Sequence, residues 1–125
     1  MNSKVFMVVR ILLGVFILVF GLNKFLQFIP FGEMSPEAGA YFGALSSVKL
    51  VPHILGIVEI AAGLALLLNK YGALMAIILM SISVNAVLFH ATLAPGDIAG
   101  ALLLLVLNVL VLIGYKDRYK DILRA

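Results

Sequence analysis

The sequence contains no cysteine. That absence removes disulfides, thiolate metal sites, iron–sulfur clusters, thioether-linked haem and any CxxC redox relay, and it leaves the redox compartment undetermined. Charge is scarce as well: 12% of the 125 residues are Asp, Glu, Lys or Arg, against 64% hydrophobic. A soluble domain of this size cannot hide so much apolar surface, whereas a bilayer solvates it directly. The net charge of +3 comes mostly from both termini and one short loop. No basic run is interleaved with aromatics, so nucleic acid is not an expected partner and contact with membrane lipids is. Also missing are a glycine-rich phosphate loop, a nucleophile elbow and paired metal-binding carboxylates, which argues against nucleotide chemistry and covalent hydrolysis.

What the chain does have is apolar length. Four stretches, from Val5 to Phe28, Leu50 to Leu68, Gly72 to Leu93 and Asp97 to Tyr115, would each reach roughly 28 to 36 Å as helices, enough to cross a hydrocarbon core of about 30 Å. The expectation is an all-α fold in one integral membrane domain over residues 1–125. The first stretch follows Lys4 and Arg10 as a signal peptide would, but Gly21-Leu22-Asn23-Lys24-Phe25 offers no small-residue cleavage pattern, so it reads as retained. Asn69-Lys70-Tyr71 and Ala94-Pro95-Gly96 read as tight links, with Asp97 available to cap the last helix. Short links make neighbours antiparallel, which predicts a transmembrane four-helix up-down-up-down bundle. The similarity of Asn23-Lys24-Phe25 to Asn69-Lys70-Tyr71 is too short to indicate an internal repeat.

The loop charges predict orientation. Lys4, Arg10, Lys70, Lys116, Arg118, Lys120 and Arg124 fall on one side; Glu33, Glu37 and Asp97, with Lys49 and Lys24, fall on the other. The positive-inside rule then sets both termini in the cytoplasm. The longer outer loop, Ile29 to Lys49, carries Ser35-Pro36-Glu37 as a helix start, followed by Tyr41, Phe42 and Leu45 as an apolar face. This predicts a short interfacial helix, either a lipid-surface anchor or a lid over the bundle mouth.

An ionisable residue at depth in a membrane marks a candidate functional site. Glu59 lies between Gly56 and Gly63 in the second span, at roughly 12 Å from its outer end; Asn85 lies at roughly 10 Å and Lys24 at roughly 5 Å. His53, Gly56, Glu59 and Gly63 share one helical face, as do Gly14, Gly21 and Lys24 on the first span. The two glycine seams are expected to face each other, turning Glu59 inward with Lys24 as its partner. On the third span Ser81, Asn85 and Thr92 align, with Ser83 and His90 on another face; Asn108 on the fourth lies nearer the inner half. One reading is a polar pocket of Lys24, Glu59, Asn85 and His90, with Asn23 beside Lys24, holding a lipidic ligand such as a quinone head group while Glu59 carries a proton. The other is a structural ion pair with interhelical hydrogen bonds. His53 and His90 near the span ends are poor candidates for haem or metal without further ligands.

Arg10 and Gly14, the run Gly21-Leu22-Asn23-Lys24-Phe25, Glu59 with Gly63, and Phe89-His90 closing the third span together resemble the DoxX family of small four-span membrane proteins. The resemblance implies that Arg10, Lys24, Glu59 and His90 occupy the recurring positions. It also implies a quinone-linked or redox-complex membrane subunit in a prokaryotic cytoplasmic (inner) membrane, because relatives include the membrane subunit of a thiosulfate:quinone oxidoreductase. The cysteine-free sequence shows no intrinsic cofactor or electron-transfer centre of its own, so redox chemistry would need a bound quinone, another cofactor or a partner subunit. Distant animal relatives look like assembly chaperones for membrane proteins, which implies a non-catalytic interaction subunit as the alternative. A small-molecule or proton transporter is a weaker alternative, with no broken helix or repeat in the sequence. A homodimer through a small-residue face is a further expectation.

Overall fold

The structure, a computed structural model, describes residues 1–30 and 32–125; of the outer loop expected over Ile29–Lys49, position 31 alone lies outside the described residues. Apolar runs without interior proline breaks form long helices here because lipid leaves backbone N–H and C=O groups no partner but one another. Four helices are long and apolar enough to cross a membrane. They are α1 (Ser3–Leu26), α3 (Leu50–Leu68), α4 (Gly72–Leu93) and α5 (Ile98–Gly114), the last entered through a 3-10 turn at Pro95–Asp97. The short helix α2 (Pro36–Ser47) stands in the expected loop. The membrane-spanning helical fold expected from the sequence is therefore the observed one.

Local signals set most ends. Asn2 caps α1 by accepting from the Val5 N–H at 2.8 Å, and Ser35 caps α2 by accepting from the Ala38 N–H at 3.2 Å, with Pro36 in the first turn. α1 stops at Leu26, short of the expected Phe28, because Gln27 turns left-handed at φ 51°. Asn69 at φ 53° and Tyr71 at φ 60° make the α3–α4 hairpin, an Asn in the left-handed region being the less strained of the two. Asp97 was expected to cap α5 and does not: its side chain makes no capping bond, and the proline-led 3-10 turn turns the chain instead.

The helices form a ring in which α1 packs most extensively on α3 and α4 on α5, closed by α1–α5 and α3–α4 contacts. Each helix is antiparallel to its ring neighbours, the up-down-up-down order that short links produce. The core is a narrow stripe of Leu13 and Ile17, Ala62 and Leu66, Ala76 and Leu79, and Leu104, Leu107 and Val111. Leu12, Ile57, Leu74 and Leu88 are more than half exposed, a surface suited to acyl chains and unsuited to water. α2 lies over one end of the ring: Ser35 Oγ donates to the Leu93 carbonyl at 3.2 Å, and Tyr41 and Phe42 pack their rings on Phe89 at 5.1 and 4.9 Å. Both chain termini lie at the opposite end.

Candidate functional site

The closest helix pair is α1 with α3, and glycine makes it close. A Cβ built on Gly21 would meet Glu59 Cβ and the Ile60 backbone nitrogen, each at 2.9 Å; one on Gly63 would meet Leu18 Cβ at 2.7 Å and the Gly14 carbonyl at 3.0 Å. Removing those methyl groups lets the two backbones touch, the small-residue packing that holds helices together where lipid is as apolar as leucine. The two seams do face each other.

That contact aims Glu59 inward. Its side chain is 4% exposed, and Oε1 lies 2.6 Å from the Lys24 ammonium. Oε2 is buried without a hydrogen-bond partner, the one such side-chain atom among the described residues. The Lys24 side chain is 29% exposed, so one residue touches both the sealed carboxylate and the space outside it. That space is a groove of about 500 Å³ between the end of α1, α2 and the start of α3. Phe25, Phe42, Leu45 and Leu55 supply apolar walls; Lys24, Asn23, Lys49 and His53 supply polar ones. Phe25 lies over Gly56, where a Cβ would meet its ring at 2.6 Å, and stacks at a tilt on His53 with centroids 5.5 Å apart. The His53 Nδ1–H donates to the Lys49 carbonyl at 2.7 Å; a carbonyl can only accept, so Nδ1 carries a proton, and in the neutral ring Nε2 is the acceptor.

The other expected residues distribute differently. Asn23 lines the groove, but its amide is engaged on the backbone: Nδ2 donates to the Ile29 carbonyl at 3.2 Å and Oδ1 accepts from the Ile29 N–H at 2.7 Å. It closes the turn after α1. Asn85 is exposed on α4 and donates to the Tyr41 hydroxyl at 3.3 Å. His90 is half-buried, donates from Nδ1 to the Ala86 carbonyl at 2.8 Å and meets the Phe89 ring edge-on. The structure thus brings Lys24 and Asn23 to the groove, seals Glu59 behind Lys24, and leaves Asn85 and His90 outside its walls.

Two polar contacts lie away from the groove. Ser83, not Ser81 or Asn85, is the buried polar residue of α4: its hydroxyl donates to Asn108 Oδ1 at 2.7 Å, and Asn108 Nδ2 donates to the Ala76 carbonyl at 3.0 Å. Arg10, grouped by sequence with the cytoplasmic charges, is 8% exposed. Its guanidinium donates to the carbonyls of Leu66 and Leu67 in the last turn of α3, where the helix dipole favours a cation. Among the described residues no carboxylate pairs with it. The spacing of Arg10, Gly14, Gly21 and Lys24 on one face of α1 carried that information, because a residue on the seam faces α3. Beside it, Tyr115 donates to Asn69 and packs edge-on against Phe6 at 4.9 Å, while Tyr119 donates to the Ala73 carbonyl at 2.7 Å. α1 is therefore fastened to α3 at both ends, by Arg10 on backbone and by Lys24 on a carboxylate, with glycine contact between.

A family model described as DoxX matches residues 5–92, a segment that contains Arg10, Asn23, Lys24, Glu59, Asn85 and His90. No curated protein and no solved structure is matched by the chain.

Proposed function

The chain belongs to the DoxX family of small multi-span membrane proteins, and from that premise we propose that it is a quinone-linked membrane subunit of a redox complex. The observation that carries the reading is the double placement of Lys24, a wall of the groove and the 2.6 Å partner of Glu59. A groove that is mostly apolar, with a few convergent polar groups and a buried ionisable residue behind them, has the makings of a small-molecule site.

A quinone head is flat, apolar on its faces and polar at two oxygens. Phe25 and Phe42 match the faces; the Lys24 ammonium would donate to one oxygen, and His53 Nε2 would accept from the other only in the quinol form, where that oxygen carries a hydrogen. A quinone bound there would supply two-electron, two-proton chemistry, which a chain without cysteine lacks. Lys24 fixes negative charge at the groove wall. Glu59 accepts from the Lys24 ammonium at Oε1, which leaves Oε2, the oxygen with no other partner, as the atom at which it would take up a proton. Phe25 excludes water from the pair. Asn85 and His90 belong in this reading to the cover, Asn85 through Tyr41 and His90 through Phe89. Lys4, Lys70, Lys116, Arg118, Lys120 and Arg124 lie at the end opposite α2, which supports cytoplasmic termini and a groove in the outer half of a prokaryotic cytoplasmic membrane.

The test is gentle purification followed by lipid extraction, with quinone identified by mass spectrometry and haem or flavin sought by absorbance. Retained quinone that falls at least tenfold in Glu59→Gln supports the reading. If no redox ligand is retained or bindable while a protein partner co-purifies, the chain is an assembly or interaction subunit without catalysis. That second reading is favoured by one observation: the Lys24–Glu59 bridge also joins α1 to α3, work that a purely structural pair would do.

A further inference from the structure

The face of α4 turned away from the ring is not uniformly apolar. Ser81, Asn85, Leu88 and Thr92 are all exposed and follow one another at spacings of four, three and four, so they lie on one side of the helix. Ser81 and Thr92 satisfy their hydroxyls on their own helix, donating to the Ile78 and Leu88 carbonyls at 2.8 and 2.7 Å. Asn85 cannot do the same with a whole amide. Its group carries two N–H donors and an acceptor oxygen; one N–H reaches the Tyr41 hydroxyl at 3.3 Å, and no other bond is made. About 10 Å inside the end of α4 there is no water to take the rest. Exposure at that depth is unfavourable unless something covers it.

The remaining half of the amide matches a second copy of itself. One N–H and one C=O on the same group form a self-complementary pair, each amide donating to and accepting from its twin across a two-fold axis. A closed symmetric dimer makes such an isologous contact, residue against the same residue. We infer that the chain pairs with a second copy of itself through α4, with the two Asn85 amides hydrogen-bonded at the axis and Ser81 and Leu88 on either side of them. The glycine seams are not available for this role, because α1 and α3 consume them within one bundle. The dimer face lies across the ring from α1. It lines no part of the groove.

The absence of native cysteine makes the test direct. In membranes oxidised with copper-phenanthroline, Ser81→Cys and Leu88→Cys form disulfide-linked dimers of twice the chain mass. Val15→Cys, equally lipid-facing on α1, does not. In reconstituted bilayers, dilution with lipid while following energy transfer between labelled copies gives a dissociation constant about tenfold weaker for Asn85→Leu, the scale of a pair of interhelical hydrogen bonds. Because Asn85 is exposed, this change leaves the thermal melt of the bundle near wild type. Tyr41→Phe removes only the bond within the chain and leaves the dimer intact. The inference is overturned if Ser81→Cys links no better than Val15→Cys, if the adduct joins a different protein, or if Asn85→Leu dimerises as tightly as wild type.

Discussion

The Lys24–Glu59 bridge lends itself to a double-mutant cycle because its two members are buried unequally. Lys24→Met leaves a carboxylate that is 4% exposed, with neither oxygen engaged, since Oε2 already has no partner. Breaking a buried pair from this side costs about 3–5 kcal/mol. Glu59→Gln leaves the opposite orphan, but Lys24 is 29% exposed on the groove and its four-carbon stem can carry the ammonium to the rim. That change should cost only about 1–2 kcal/mol. The double variant should lie close to Glu59→Gln alone, giving a coupling energy of about 3–5 kcal/mol, the whole loss of Lys24→Met. Reversible unfolding in mixed micelles, followed by far-ultraviolet circular dichroism, measures all four corners. Equal losses for the two single variants, or a coupling energy indistinguishable from zero, would refute the account of a sealed carboxylate held by a partly wet lysine.

Gly21→Ala pushes a methyl group to 2.9 Å from both Glu59 Cβ and the Ile60 backbone nitrogen, so it should destabilise by about 1–3 kcal/mol. Gly39→Ala, in α2 with nothing within 4 Å, should instead stabilise by about 0.5–1 kcal/mol; thermal melts of the pair check the sign reversal. Asn108→Ala removes the acceptor of Ser83 and the donor to Ala76 in a fully buried α4–α5 contact, with an expected loss of about 2–4 kcal/mol by denaturant titration. At the end carrying the termini, burial first and then the Tyr115 phenol push the Tyr119 phenol up to about 12, against a smaller opposing effect of Arg118. A neutral phenol favoured by the folded state contributes stability that is whole below the ordinary tyrosine pKa of about 10 and is lost as pH rises through about 12. Burial raises the Tyr115 phenol too, so tyrosinate absorbance should show a late-titrating fraction whose component near 12 disappears in Tyr119→Phe.

The parts of the site that were legible in advance are those written as seams. Gly14, Gly21 and Lys24 on one helix, and Gly56, Glu59 and Gly63 on another, mark faces by spacing alone, because only a close neighbour makes use of a missing Cβ. α4 offers no such mark. It is apolar nearly all the way round, so periodicity does not reveal its rotation about its own axis, and Asn85, not Ser83, was the residue expected in the interior pocket. Packing of Gly72, Ala76 and Leu79 against the ring decides it: Ser83 continues their face and Asn85 does not. Arg10 was misjudged for a different reason. A cation near a helix start satisfies the charge rule for the cytoplasmic rim, yet the same position on the seam reaches the unsatisfied carbonyls of the antiparallel neighbour.

By itself, then, the sequence determined the solvent, the number of crossings and the partner of the central carboxylate, since each rests on a pattern along one chain: apolar length, charge scarcity and glycine spacing. Tertiary structure alone decided which polar residues meet. The groove between α1, α2 and α3, the cap that Arg10 forms on α3 and the outward amide of Asn85 all depend on how helices are rotated against one another. In an apolar helix that rotation is set by the neighbours it packs on, because lipid favours no face over another.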